Sequence, residues 1–154
     1  MNMNRISKII ALAFVAVAAM ACGKEDIKIE KELLEVNANN MAGKWQLVQW
    51  NGDAMEEGTY VYLEIVRNDR TFTLYQNQDS FQNVPRILTG SYNIDVDPEA
   101  GAVIRGMYDH DNGEWSHRYI VKELYVDEML WVAKDDPGFT QLFKRIHSIP
   151  VVQQ

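Results

Sequence analysis

Few residues of this 154-residue chain are of a type that makes or breaks bonds. There is one cysteine, Cys22. A single thiol closes no internal disulfide and supplies no cysteine-rich zinc site. The three histidines, His110, His117 and His147, sit at neither the i, i+2 spacing of a strand nor the i, i+4 spacing of a helix, so they form no metal pair. The acidic run Asp109-His110-Asp111-Asn112-Gly113-Glu114 fails as a calcium loop, because its glycine falls one place early and the closing glutamate is missing. It reads instead as a hairpin turn with left-handed residues at Asn112-Gly113. No Gly-x-Ser-x-Gly, phosphate-loop, dinucleotide or His-Glu-x-x-His pattern occurs. With 22 acidic residues, acidic pairs arise by chance and none singles itself out. No catalytic residue, metal or cofactor is therefore expected. What the chain does hold is aromatic surface. Trp50, Tyr62, Tyr75, Tyr108, Trp115 and Trp131, set among Asn, Asp and Gln, suit ligands that combine apolar faces with polar edges. Each of these rings has a competing role as an ordinary cross-strand packing residue.

The cysteine has a distinctive context. Arg5 and Lys8 are followed by residues 9–21, IIALAFVAVAAMA, without a charge. That stretch is shorter than the ~20 residues a spanning helix needs and has the flanks of a secretory signal. Ala19-Met20-Ala21-Cys22 resembles a bacterial lipobox, with Ala19 where that motif favours Leu or Val. The resemblance implies cleavage before Cys22 and lipid attachment to it. Several acyl chains on one cysteine hold a protein stably at a membrane. The next residues, Gly23-Lys24-Glu25-Asp26, resemble the export signal of surface-exposed lipoproteins of the Bacteroidetes. An outer-membrane, cell-surface location is the corresponding expectation.

Four segments follow: a signal peptide at 1–21, the lipidated cysteine and a tether at 22–41, a folded domain at 42–149, and a tail at 150–154. The tether carries charges and no aromatic residue. Ile29, Leu33, Leu34 and Val36 suggest two turns of helix, which Asn37, Asn39 and Asn40 then break. Fifteen basic against 22 acidic residues give a formal charge of −7. Residues 1–21 hold two of the basic residues and none of the acidic ones, so the chain from Cys22 carries −9. Nucleic acid is thus not an expected partner.

All four tryptophans and all seven tyrosines fall between Trp45 and Trp131. There the pattern is short, β-branched and aromatic, with period two, broken by Gly, Asp, Asn and Pro. Eight strands are expected, at 44–51, 60–67, 71–77, 88–95, 101–108, 116–124, 129–134 and 139–146. Short links between them favour an all-β, eight-stranded antiparallel up-and-down barrel. Alternation places Val61, Leu63 and Ile65 inward and Tyr62 and Glu64 outward. Gln49, Arg105 and Glu123 share parity with apolar positions. They predict either a wet lumen or bulges that reset the register.

Gly43-Lys44-Trp45 at the first strand resembles the Gly-x-Trp opening of lipocalins and the wider calycin group. In that group the tryptophan closes one barrel end and a basic residue of the last strand packs across it. The resemblance implies this role for Gly43, Trp45 and Arg145, with Lys144 as the alternative partner. Residues 42–150 also resemble the lipocalin-like lipoproteins of gut Bacteroidetes, through Trp-Gln-Leu-Val-x-Trp, Gly90-Ser91-Tyr92 and the closing Phe-Lys-Arg-Ile-x-x-Ile-Pro. The expected function is a membrane-anchored monomer that binds a small hydrophobic or amphipathic ligand or a glycan fragment. The alternatives are a filled barrel with a partner on its outer face and, last, an enzyme on the same barrel. The anchor is tested by radioactive palmitate: the natural protein should take up label, and Cys22→Ala should lose both label and processing.

Overall fold

The computed structural model describes residues 30–78, 84–110 and 113–150. The signal segment, Cys22 and the Gly23–Asp26 export motif lie outside the described residues. The account below concerns the compact unit Lys31–Gln154. Its elements are α1 (Ala38–Met41), β1 (Gly43–Trp50), β2 (Asp53–Ala54), β3 (Val61–Val66), β4 (Thr71–Gln76), β5 (Arg86–Asp97), β6 (Gly101–Tyr108), β7 (Tyr119–Leu124), β8 (Glu128–Ala133) and β9 (Thr140–Ile146). Strands β1 and β3 to β9 pair antiparallel with their neighbours in chain order, and β9 pairs back onto β1. The sheet is thereby a closed eight-stranded up-and-down barrel, the architecture expected from the turn spacing. The short β2 folds back along the end of β1 through Gln49↔Ala54.

Period-two alternation makes the core. On β3, Val61, Leu63 and Ile65 are buried, while Tyr62 and Glu64 are only half-covered on the other face. Phe72, Tyr92, Ile104, Val121 and Phe143 continue the same interior. The three parity conflicts resolve without charged side chains in the core. A register shift between Leu47 and Gln49 lets Leu47 face Phe143 and then Trp50 face Gln141, while Gln49 points out beside Leu142. A second shift between Val121 and Glu123 leaves Lys122 and Glu123 both exposed and returns Leu124 to the core. On β6 the interior parity is that of Ile104 and Gly106, opposite Ile94 and Tyr92. Arg105 therefore lies outside, where its Nε donates to Asp95 Oδ2 at 2.9 Å. Val103, which shares its parity, is buried but stands apart from the core cluster.

The segment expected to be a free tether is partly built into the barrel. Leu34 N donates to Leu124 O at 2.8 Å, and Leu34 and Val36 pack on the core. Residues 30–36 form no helix; the helical turn comes later, at α1. Asn37, expected to break a helix, instead caps one: its side chain accepts from Asn40 N at 2.9 Å. The cap aims Ala38 and Met41 into the barrel end, where Met41 is fully buried.

At that end Trp45 lies fully buried, and its Nε1 donates to Met41 O at 2.9 Å. Its register partner across β1 and β9 is Arg145, whose guanidinium sits 4.0 Å from the indole centroid. Lys144 instead pairs with Gln46 and is exposed. Arg145 Nη1 donates to Ala42 O at 2.7 Å, Nη2 to Asn40 O at 2.9 Å and Nε to Val126 O at 2.6 Å. One planar cation thus satisfies carbonyls of two separate chain segments while it stacks on the indole. Partial burial pulls its pKa below the ordinary arginine value, and it remains charged at neutral pH. Gly43 is required here, because a Cβ would overlap Arg145 Nη1 and the backbone has φ of 129°.

Arg145→Ala should cost about 2–4 kcal/mol in urea denaturation, since it leaves three carbonyls without their donor and removes the stacked cation. Arg145→Lys should recover less than half of that loss, because one ammonium cannot span the same three acceptors.

Candidate ligand site in the barrel lumen

Opposite the sealed end, β1, β4, β6 and β8 finish and β3, β5, β7 and β9 begin, and this is the mouth. Just inside lies a cavity of about 150 Å³. Its walls follow from the register. Trp50, Gln141 and Trp131 form one cross-strand row over β1, β9 and β8, with Val121 next in line. The bulge after Leu47 is what turns Trp50 into this row, since uninterrupted alternation would have sent Gln49 there.

The rest of the lumen is filled from the side. After β6 the chain doubles back, with Tyr108 N donating to Gly113 O at 2.8 Å and Trp115 N to Gly106 O at 2.9 Å. This lays the Trp115 indole over Gly106, where any Cβ would overlap the ring. Trp115 then meets Phe72 at 4.9 Å and Trp131 at 5.7 Å between centroids, and Trp131 meets Tyr119 at 5.3 Å and Phe143 at 4.9 Å. Tilted and edge-on contacts of this kind are the favoured aromatic geometries.

Among the described residues the polar groups of the wall are few and uncharged: Gln76, Gln141, Ser116 and the phenols of Tyr108 and Tyr119. Burial, reinforced by Tyr108 and Asp135, pushes the Tyr119 phenol well above its ordinary pKa, so it stays neutral. Trp131 is 2% exposed, and its Nε1–H finds no acceptor among the described residues.

Of the six candidate rings, Trp50, Tyr108, Trp115 and Trp131 line the cavity. Tyr62 and Tyr75 do not; they are register partners on the outer face, where Tyr62 stacks on Tyr60 at 5.3 Å. Phe72, Tyr119 and Phe143 belong to the cavity wall and were missed as contacts. Alternation can mark such positions as inward, but it does not separate a cavity wall from packed core.

A second, more open cleft of about 450 Å³ shares Trp115 and Ser116 with the lumen. There His117 Nδ1 and Asp135 Oδ1 are 2.8 Å apart, and the histidine ring lies 4.6 Å from Phe139. The hydrogen bond to His117 holds the Asp135 carboxyl below its usual pKa. Among the described residues no three His, Cys, Asp or Glu side chains gather as a metal set.

No family model matches this chain, and no curated protein matches it.

Gly106→Ala should force the Trp115 indole off the barrel wall. The expected result is a red-shifted tryptophan emission and a loss of about 1–3 kcal/mol in thermal or urea unfolding.

Proposed function

We propose that this protein is a lipid-anchored, lipocalin-like binding protein of the bacterial cell envelope, held at the outer-membrane surface through Cys22. It binds one small molecule in the barrel lumen. The observation that carries this reading is the asymmetry of the barrel: one end is sealed by Trp45 and Arg145, while the other keeps a cavity lined by rings and neutral polar groups. That is the arrangement of a pocket, with apolar walls and a few placed polar groups. The net charge of −9 from Cys22 onward keeps the domain off anionic head groups while the acyl chains hold it nearby.

A filled barrel that meets a partner on its outer face is the second reading. It is favoured by the row Tyr62, Tyr75 and Ile87 across β3, β4 and β5, in which Ile87 is 40% exposed. Native mass spectrometry of the protein purified from its own host separates the two. The binding reading expects a small-molecule adduct that dissociates on mild activation. A spectrum holding only the lipidated polypeptide turns the assignment to the filled barrel.

A further inference from the structure

The two ends of the barrel show different surfaces to solvent. At the sealed end, three hairpin turns join β3 to β4, β5 to β6 and β7 to β8, at 67–70, 98–100 and 125–127. Each turn contains an exposed valine or closely follows one: Val66, Val96 and Val126. Val96 is 85% exposed and Val126 66%. Val96 has the parity of the inward Tyr92 and Ile94, but β5 has there run past its ladder with β4, which stops at Thr71↔Ser91. An inward-facing valine at that point has no interior to enter.

The chain also arrives at this end. Lys31 Nζ donates to Asp127 Oδ2 at 3.1 Å and lies 5.7 Å from the Tyr125 ring centroid. Leu34 is bonded to Leu124, and the neighbouring Leu33 is 62% exposed. Cys22 stands nine residues before Lys31, at most ~32 Å of extended chain. Whatever course that stretch takes, a lipid on Cys22 holds the barrel by its sealed end.

Single apolar side chains scattered over a surface carry no message. Here one stands at each of three consecutive hairpins and another on the segment that leads towards Cys22. The mouth is unlike this. Among the described residues, Val84 is the exposed large apolar side chain of its connections, while Ile87 and Met107 belong to the barrel wall. Carboxylates crowd the mouth, with Asp53, Glu56, Glu57, Glu114, Asp135 and Asp136 against Arg118 and Lys134. The three sealed-end turns are near balance, with Arg67 and Arg70 against Asp69, Glu99 and Asp127, and the segment before them adds Lys31 against Glu32 and Glu35. Repulsion from anionic head groups therefore falls mainly on the mouth.

We propose that the sealed end is a membrane-contacting face. Leu33, Val66, Val96 and Val126 rest in the head-group layer of the bilayer that holds the Cys22 lipid, and the mouth points away from it. This rests on the lipid-anchor reading above and extends it. The lumen then exchanges its ligand with the aqueous side and not with the bilayer.

The test uses the full-chain lipidated protein, purified from its own host and bound to phosphatidylcholine vesicles. Val96→Cys and Val126→Cys carry an environment-sensitive dye at the sealed end; Glu57→Cys and Glu114→Cys carry it at the mouth. All four side chains are exposed, so labelling spares the core. On the anchor reading Cys22 is alkylated and takes no dye. Emission from positions 96 and 126 should shift to the blue on vesicle binding and be lost when the lipid bears a nitroxide. Emission from positions 57 and 114 should keep its free-protein wavelength. Vesicle-bound protein with unshifted dye at 96 and 126, or with quenched dye at 57 or 114, overturns the membrane-contacting face and leaves the anchor standing. Protein that does not float with the vesicles overturns the anchor and this proposal together.

Discussion

The barrel depends on a single planar cation. Arg145 lies flat on Trp45 and reaches carbonyls before β1 and between β7 and β8. Without it, the ends of β1 and β9 would still pair, but the chain preceding β1 would be held across the barrel end only by Met41, the Trp45 hydrogen bond and apolar contacts. Gly43 exists to make room for it. The α1 turn, its Asn37 cap and the burial of Met41 are all arranged around the same point. Hydrophobic burial supplies the driving force of this core, but the guanidinium fixes where the barrel stops.

The sealed end lets the other end be less than full. Two bulges spend strand regularity to keep Gln49 and Glu123 out and to bring Trp50 and Leu124 in. Trp115 enters from a connection rather than from a strand, and Gly106 is the floor that admits it. The space left between these rings is small because large side chains from three sources converge on it. It is polar in spots because Gln141 and Gln76 occupy inward positions that a filled barrel would give to leucine or valine.

Much of this was legible in the residues. Alternation and turn chemistry located the eight barrel strands, and the inward set on β3 read directly from period two. The conflict at Gln49 and Glu123 pointed to bulges, but alternation alone did not say whether the lumen or the register would absorb it. Other features were hidden for physical reasons. The role of residues 34–41 depends on hydrogen-bond partners distant in the chain: Leu124 O, which accepts from Leu34 N, and Arg145, which donates to Asn40 O. Tyr62 and Tyr75 are as aromatic as Trp50, and only register separates an outer ring from a lumen wall. The entry of Trp115 depends on an empty Cβ position at Gly106, a contact across the hairpin that no spacing rule reports.

The bulge beside Val48 has one more consequence. In a pleated strand the two faces are two reading frames, and an extra residue shifts every later side chain from one frame to the other. The contents of this lumen near its mouth are therefore set by how the strand accommodates Val48 as much as by side-chain identity. Straightening the bulge at unchanged length would exchange Trp50 for Gln49 on the wall, whereas loss of Val48 would restore plain alternation and leave Trp50 in place. A single-residue deletion at Val48, usually among the most damaging events in a sheet, would here leave the pocket wall as it is.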